Sequence, residues 1–204
     1  MPTTIKISKQ MILDAAFEIA REKGVDQISN RELAKILNCS IRPIYYQFKN
    51  VEELNKELNE KIEEYFFSYL INNVIEGIPK YKQIGINYIK FAKNEPKLYT
   101  YLFMSESKLG IEKFVGKGDG DFTTLEGIIR KSTQLSHEEI MTFHTKMWIF
   151  THGLATLIAC KTLELTDKDI SDLLSSEFQA LMLLEENPNN KWVLNNWKEG
   201  ETNE

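Results

Sequence analysis

Apolar residues recur at helical spacing along nearly the whole chain, and no stretch shows the two-residue alternation of a β-strand. Glycine and proline, which interrupt regular structure, fall mainly between these periodic segments. A small polar residue followed three positions later by an acidic one marks helix starts at Ser29, Asn50, Ser136 and Thr166. The pattern predicts an all-α fold of about nine to ten helices.

The predicted helices are joined by short turns. They cover residues 8–23, 29–38, 40–48, 50–78, 80–93, 96–105, 122–133, 136–163 and 166–186. Gly24 and Asn38 are predicted to end the first two helices in the left-handed conformation, and Ser40 is predicted to cap the third. Residues 106–120 contain four of the ten glycines, which predicts a loop.

The sequence divides into a head at residues 1–50, a helical body at 51–187 and a polar tail at 188–204. The chain carries 25 Lys and Arg against 30 Asp and Glu, and this net charge of −5 argues against a general nucleic-acid coat protein. The first 50 residues hold 8 basic and 5 acidic residues (+3), which leaves 17 basic and 25 acidic residues (−8) for the rest. A mildly basic head on an acidic body is typical of a protein that offers only its head to phosphates.

Several classes of protein are disfavoured by what the sequence lacks. No apolar run approaches the ~20 residues of a membrane span, and residues 1–9 lack the apolar stretch of a signal peptide. We therefore predict a cytoplasmic chain with no membrane partner. Cys39 and Cys160 have no metal-ligand spacing and are interpreted as small buried hydrophobic residues. Since no nucleophile motif, glycine-rich phosphate loop or metal cluster is recognisable, the sequence predicts neither an enzyme nor a bound cofactor or metal.

The third predicted helix carries many polar groups for its length. Four positions at i, i+3, i+4 and i+7 are predicted to face inward: Ile41, Ile44, Tyr45 and Phe48. The positions predicted to face outward are Arg42, Pro43, Tyr46, Gln47 and Lys49. In the major groove an arginine can read guanine and a glutamine can pair with adenine, while tyrosine and lysine can hold phosphates. The helix either reads DNA or is simply the solvated face of a small helix.

Three stretches near the N-terminus resemble the DNA-binding domain of the tetracycline-repressor (TetR) family. Residues 12–24 (ILDAAFEIAREKG) are similar to its opening helix and residues 29–35 (SNRELAK) to its second helix. Residues 40–54 (SIRPIYYQFKNVEEL) are similar to its recognition helix and the start of its fourth helix. The resemblance implies a helix-turn-helix head and a transcriptional repressor that binds double-stranded operator DNA in a sequence-specific manner.

The chain departs from the family pattern at three positions. Asn38 stands where glycine is usual, Ile28 where threonine is common, and Gln47 where histidine is common. Since the threonine hydroxyl is missing, its phosphate contact is assigned to Ser29. The resemblance also implies that Tyr45 contacts a phosphate through its hydroxyl while its ring packs inside. The predicted DNA-contacting residues are Ser29, Arg31, Ser40, Ile41, Arg42, Pro43, Tyr45, Tyr46, Gln47 and Lys49.

Residues 147–160 (MWIFTHGLATLIAC) are apolar nearly all round, which is typical of a helix buried on every side. In a small protein such a helix lies between its own core and a partner, and the last predicted helix adds a second apolar stripe. Two helices from each of two copies would form a four-helix interface, and the family resemblance also implies a homodimer. The alternative is packing within one chain. The predicted interface residues are Phe150, Leu154, Leu157, Leu174, Phe178 and Leu181.

The body is dense in aromatic residues, which fits either ordinary core packing or a pocket for a small, largely apolar effector. The family resemblance favours a pocket whose effector changes operator affinity. The glycine-rich loop at 106–120 is a candidate gate to it. His144 and His152 flank Trp148 on one helix face, which suits a pocket wall or a hydrogen-bonded core pair better than a metal site. The predicted pocket residues are Tyr65, Tyr69, Phe91, Tyr99, Phe103, Phe143, His144 and Trp148. A helical protein-interaction module without a small-molecule effector is the alternative.

Overall fold

The computed structural model describes residues 7–104 and 122–185, and these two ranges contain helices but no β-strand. The prediction of an all-α fold is confirmed. Nine α-helices lie in the described ranges: α1 Lys9–Lys23, α2 Asn30–Ile36, α3 Arg42–Gln47, α4 Val51–Asn72, α5 Lys80–Asn94, α6 Pro96–Phe103, α7 Phe122–Arg130, α8 His137–Ala159 and α9 Asp167–Glu185. A short 3₁₀ turn, Val25–Gln27, follows α1. The predicted loop at 106–120 and the predicted tail at 188–204 lie outside the described residues.

Short polar side chains fix the helix N-termini that the sequence predicts. At the start of α2, Oγ of Ser29 accepts a hydrogen bond from the N–H of Glu32 at 3.2 Å. At the start of α8 the bonds are reciprocal, because Ser136 accepts from the N–H of Glu139 and its own N–H donates to the Glu139 carboxylate. The side chain of Asn50 caps α4 in the same way as Ser29 caps α2. Each cap satisfies an N–H that the helix leaves unpaired, so the local sequence determines where these helices begin.

Helix α4 ends at Asn72, six residues before its predicted end at 78. The chain turns away there because polar side chains of α5 bind its backbone. The amide nitrogen of Asn87 donates to the carbonyl oxygens of Leu70 and Asn73, at 2.9 Å in both cases. The side-chain oxygen of Gln83 accepts a hydrogen bond from the N–H of Ile75, in the turn that follows α4, at 3.0 Å. These long-range bonds replace the helical bonds that the sequence pattern predicts.

Two connections in the head have positive φ angles. Gly24 has φ 100° and ψ 156°, which lies outside the left-handed helical region predicted for it and in a region almost restricted to glycine. Asn38 has φ 48°, which agrees with its predicted left-handed conformation. The prediction that Ser40 caps α3 is wrong, because the N-cap residue is Ile41 and no side chain bonds that end.

Helix α5 lies at the centre of the body, where it packs against α4, α8 and α9. Helix α1 packs against both α4 and α6, so the head shares its core with the body. The ring of Phe66 in α4 is fully buried, with its centroid 5.0 Å from that of Phe91 and 5.3 Å from that of Phe103. Because the core is continuous from α1 to α9, the boundary predicted after residue 50 stays a prediction.

Candidate nucleic-acid interface

Helices α2 and α3 form a small unit that rests on α1. Ile44 of α3 and Phe48 just after it are 1% and 3% exposed, and Leu33 of α2 is fully buried. These apolar side chains fix α3 by one edge, which leaves its opposite face to solvent. The two short helices and the turn between them therefore have the arrangement of a helix-turn-helix.

The exposed face of α3 is wider than the sequence pattern predicts. Tyr46 is 86% exposed, Tyr45 58% and Ile41 44%, so the inward assignment of Ile41 and Tyr45 is wrong. A helix of six residues can bury only a narrow edge. In α3 this edge consists of Ile44, together with Phe48 just after the helix. Eight of the ten predicted DNA-contacting residues are exposed on this unit: Ser29, Arg31, Ser40, Ile41, Arg42, Tyr45, Tyr46 and Lys49. Pro43 is half-buried.

Gln47 is also half-buried, and its amide nitrogen donates to the carbonyl oxygen of Ile7 at 3.2 Å. This bond attaches the segment before α1 to the end of α3. The bond uses one of the two N–H groups of the amide and restrains its orientation, while the second N–H and the amide oxygen are left for other contacts. The role of Gln47 in reading adenine thus stays a prediction, and the structure adds an anchoring role.

The basic side chains near α3 differ in how much of their charge is offset. The ammonium of Lys9 lies 5.0 Å from the ring centroid of Phe48, and it pairs with Glu57 and, at 3.8 Å, with Glu53. The hydrogen bond to Glu57 raises the pKa of Lys9. Lys9 therefore stabilises the packing of α4 against the head, whereas Arg42 on the exposed face stands in no ion pair within the described ranges.

Two residues that the sequence analysis did not single out join the head to the body. The guanidinium of Arg21, in the last turn of α1, donates to the carboxylate of Glu95 between α5 and α6, with N–O distances of 2.7 to 2.9 Å. Tyr65 of α4 donates its hydroxyl to the same carboxylate at 3.0 Å. Burial, and then this hydrogen bond, raise the pKa of Tyr65 to about 12. The two residues are 74 positions apart, so no local sequence pattern indicates this contact.

The predicted effector residues lie in the body as packed rings, where Phe66 joins Phe91 to Phe103, while Phe143 and His144 pack against Tyr81 at a second place. Tyr65, Tyr69 and Phe91 contact one another where α4 meets α5. Elsewhere, Nδ1 of His144 lies 2.9 Å from the hydroxyl oxygen of Tyr81, and burial raises the pKa of that tyrosine. Phe91, Tyr99 and Phe143 are fully buried. In this conformation these side chains fill the core, and their role as pocket walls stays a prediction.

His152 and its hydrogen-bonding partners form a polar group between α5, α6 and α8. Nδ1 of His152 is 2.8 Å from the hydroxyl oxygen of Tyr88 and 3.1 Å from that of Tyr99. The Tyr99 hydroxyl also lies 2.9 Å from Oγ1 of Thr156, and burial raises the pKa of Tyr99 to about 12. The indole of Trp148 stacks on the imidazole with a centroid distance of 4.9 Å. Burial lowers the pKa of His152, so the neutral ring is favoured here.

Two open clefts follow the groove between α1 and α4. One has a volume of about 490 Å³ and is lined in part by Phe17, Lys61 and Tyr65, so it includes one predicted effector residue. The other, of about 510 Å³, is lined by both acidic and basic side chains of α4, among them Glu53, Lys56 and Glu60. Both clefts open to solvent at the junction of head and body.

The predicted interface residues divide between the chain's own core and its surface. Leu174 and Leu181 are 2% and 5% exposed, so in this conformation they face the core. Phe150, Leu154 and Phe178 are half-buried. Leu157 is 46% exposed and Ile149 53% exposed, so α8 is not buried on every side within one chain. An apolar face of α8 is thus left to solvent, and its contact with a second copy stays a prediction.

Other candidate sites are limited in the described ranges. No three His, Cys, Asp or Glu side chains there come together in a way that could hold a metal ion. No helix in those ranges has the length and apolar character needed to cross a membrane. Cys39 is half-buried and Cys160 is exposed at the end of α8, so the prediction that both are buried is wrong.

Comparison with known sequences places the strongest similarity in the head. The family described as "Bacterial regulatory proteins, tetR family" matches residues 12–58. The biofilm operon icaADBC HTH-type negative transcriptional regulator IcaR of Staphylococcus epidermidis is 31% identical over 65 residues, which are 32% of this chain and 35% of that protein. An uncharacterized HTH-type transcriptional regulator of Haemophilus influenzae is 28% identical over 101 residues, 48% of this chain and 54% of that protein. The matches thus span about a third and about half of the lengths of these relatives.

Solved structures resemble the chain over most of its length. A TetR-family transcriptional regulator from Haemophilus influenzae aligns with a TM-score of 0.57 at 19% identity and covers 84% of this chain and 94% of its own. A putative TetR-family regulator from Vibrio parahaemolyticus aligns with a TM-score of 0.59 at 16% identity, over 84% and 97% of the two chains. A TetR-like regulator from Rhodococcus gives 0.58 at 15% identity, over 90% and 98%. At these identities the similarity establishes the fold alone.

Proposed function

Because the chain belongs to the TetR family of bacterial regulatory proteins, we propose that it is a cytoplasmic transcriptional repressor that binds operator DNA as a homodimer. Proteins of this family are regulators and not enzymes, which agrees with the expectation from the sequence. The proposal assigns base and phosphate contacts to α2 and α3. It assigns dimerisation to the exposed apolar face of α8 together with α9, and effector binding to the body.

One observation carries the DNA-binding proposal. The buried side chains of Ile44 and Phe48 fix α3 along one edge, and the opposite face presents Arg42, Tyr45 and Tyr46 to solvent. An exposed tyrosine on such a face can pack its ring against DNA and donate its hydroxyl to a phosphate. Arg42 supplies the planar donor that matches the edge of guanine. The face thus has the chemical groups that a major-groove helix needs.

The direction of regulation and the effector are supported by a relative and by the aromatic body. One relative is a negative regulator by name, which favours repression for this chain. The aromatic body, with the hydroxyl groups of Tyr88 and Tyr99 directed at His152, would offer an apolar ligand two or three hydrogen-bonding partners if the rings separate. Ligand binding shifts operator affinity only by the difference in its affinity for the two states of the protein.

The decisive experiment is selection of DNA sequences by the full chain from a genomic library, followed by affinity measurement on the enriched sequence and on a scrambled one. We expect an affinity on the order of 10⁻⁸ to 10⁻¹¹ M for the enriched sequence and binding roughly 10³-fold or more weaker for the scrambled one. Arg42→Ala should reduce this ratio. Lys168→Ala is the matched control, because it removes one positive charge from a side chain that is 83% exposed at the start of α9.

Two results of this experiment would overturn the proposal. Absence of any enriched sequence would favour the alternative of a helical protein-interaction module. Equal loss of affinity in the Arg42 and Lys168 variants would mean that charge alone, rather than the face of α3, binds DNA. For the effector, a metabolite panel that changes neither the thermal unfolding of the protein nor its operator affinity would leave a regulator without a small-molecule signal.

A further inference from the structure

We infer that Arg21 and Glu95 are positioning residues that fix the orientation of the head on the body, and so determine which spacing of operator half-sites the dimer accepts. The inference rests on the proposed DNA-binding function. In a two-fold dimer each head reads one half-site, and the half-sites lie about one helical turn (~34 Å) or a multiple of it apart. Affinity for the complete operator therefore depends on the angle between head and body.

Glu95 is a firm attachment point on the body, because its backbone N–H and its carbonyl oxygen are both hydrogen-bonded. Its N–H donates to the carbonyl oxygen of Phe91 at 2.8 Å, and its own carbonyl oxygen accepts from the N–H of Tyr99 at 2.9 Å. The side chain is 5% exposed. The carboxylate is therefore a buried group attached to a fixed backbone at the corner where α5 ends and α6 begins.

Arg21 presents a fixed group to this carboxylate from the last turn of α1. Two of its nitrogen atoms, Nε and Nη2, face the carboxylate together, which defines a direction as well as a distance. One turn earlier, the ring of Phe17 meets that of Tyr65 edge to face with centroids 5.1 Å apart. Tyr65 in turn donates to Glu95. Helix α1 is thus held by an apolar contact and by a directional ion pair.

The ion pairs between α1 and other helices, apart from that of Arg21, connect α1 to a different part of the body. Asp14 of α1 pairs with Lys61 of α4 at 2.6 Å, and Lys9 pairs with carboxylates at the start of α4. These two sets of pairs join α1 to α4 only. Arg21 and Glu95 form the ion pair that joins the described part of α1 to the corner of α5 and α6. Loss of this pair should therefore free the angle of the head while the head itself stays folded.

The test uses three DNA duplexes built from the operator that the wild-type protein selects: the operator itself, a version with two base pairs inserted between its half-sites, and an isolated half-site. Affinities are measured for the wild type, Glu95→Gln and Arg21→Lys. Lys61→Gln is the matched control, because it removes an ion pair between α1 and α4 only. Circular dichroism and thermal unfolding establish that each variant is folded, and light scattering that it has the assembly state of the wild type.

We expect the wild type to prefer the native spacing over the altered one, and this preference to fall by about tenfold in Glu95→Gln and Arg21→Lys. Half-site affinity should be unchanged in both, and Lys61→Gln should keep the wild-type preference. Arg21→Lys keeps the charge and changes only the shape of the donor, so it remains a valid test if Glu95→Gln does not fold.

Two results would overturn the inference. An unchanged spacing preference in folded Arg21→Lys would mean that this pair does not orient the head. An equal loss of affinity for all three duplexes would mean that the pair only stabilises the head. If the wild type selects no DNA sequence at all, the proposed function fails, which is distinguishable because no variant is needed to observe it.

Discussion

Nδ1 of His152 lies 2.8 Å from the hydroxyl oxygen of Tyr88, in a group that joins α8 to α5 and α6. The same nitrogen lies 3.1 Å from the Tyr99 hydroxyl oxygen, and the Trp148 indole covers one face of the imidazole. Burial lowers the pKa of His152, whereas it raises that of Tyr99. Both effects favour the neutral form, so the body core has a polar group whose stability depends on pH.

The first prediction is that acid weakens the fold through His152. A histidine whose pKa is lowered in the folded state binds its proton more readily when unfolded. Its contribution to stability is therefore complete above the unfolded pKa of about 6.5 and is lost as the pH falls through the folded pKa. The midpoint of thermal unfolding should drop more between about pH 7.5 and about pH 5.5 in the wild type than in His152→Gln. Equal drops in the two proteins would assign the acid sensitivity to other groups.

The second prediction concerns the aromatic core. Phe66→Ala should cost about 3–5 kcal/mol in the free energy of unfolding, because the fully buried ring leaves a cavity among Phe91, Phe103 and Tyr88. Phe67→Ala is the control, since its half-buried ring on the same helix should cost less. Urea unfolding at constant pH measures both values. A cost of less than about 1 kcal/mol for Phe66→Ala would mean that neighbouring rings collapse into the space.

The sequence predicts where helices begin much better than where they end or which way they face. The motifs at Ser29 and Ser136 predict the N-termini of α2 and α8, because a cap is a local interaction between residues three apart. The end of α4 was placed six residues too late, because the bonds that stop it come from Asn87. Asn87 is far enough along the chain that no local pattern around residue 72 contains the information.

In the candidate site, too, local features could be predicted from the sequence and long-range contacts could not. The helix-turn-helix could be predicted because its motif is local, although Ile41 and Tyr45 are predicted on the wrong side of a helix too short to have a full inward stripe. The contact of Arg21 with Glu95 could not be predicted, since 74 residues separate the two. The aromatic residues of the body fit both a closed core and a pocket, because both use the same side chains and differ only in how the rings pack.

The third prediction separates two residues of α3. Arg42→Ala should cost roughly 1–3 kcal/mol of operator affinity and relax the base preference at one position, because the proposed function assigns base reading to this exposed residue. Gln47→Ala should change base preference less, since its amide nitrogen is already bound to Ile7. Lys49→Ala should weaken all sequences alike and lower the salt slope by about one. Parallel binding-site selection with the three variants measures base preference, and titrations of the operator at several salt concentrations measure affinity and the salt slope. A larger change in preference for Gln47→Ala than for Arg42→Ala would reverse the assignment.

The last prediction concerns the dimer and uses the difference between exposed and buried apolar residues. Ile149 and Leu157 are 53% and 46% exposed on α8, so Ile149→Glu or Leu157→Glu should leave the single chain folded but charge the face assigned to the partner. Light scattering at micromolar concentration should then give the mass of a monomer, with an unchanged helical circular-dichroism spectrum. Leu174→Glu should instead unfold the chain, because that side chain is 2% exposed and a buried unpaired carboxylate is costly. Val74→Glu, at a position that is 77% exposed between α4 and α5, should remain dimeric and so controls for the added charge. A wild type that is already monomeric, or an Ile149→Glu variant and a Leu157→Glu variant that both stay dimeric, would remove this face of α8 from the interface.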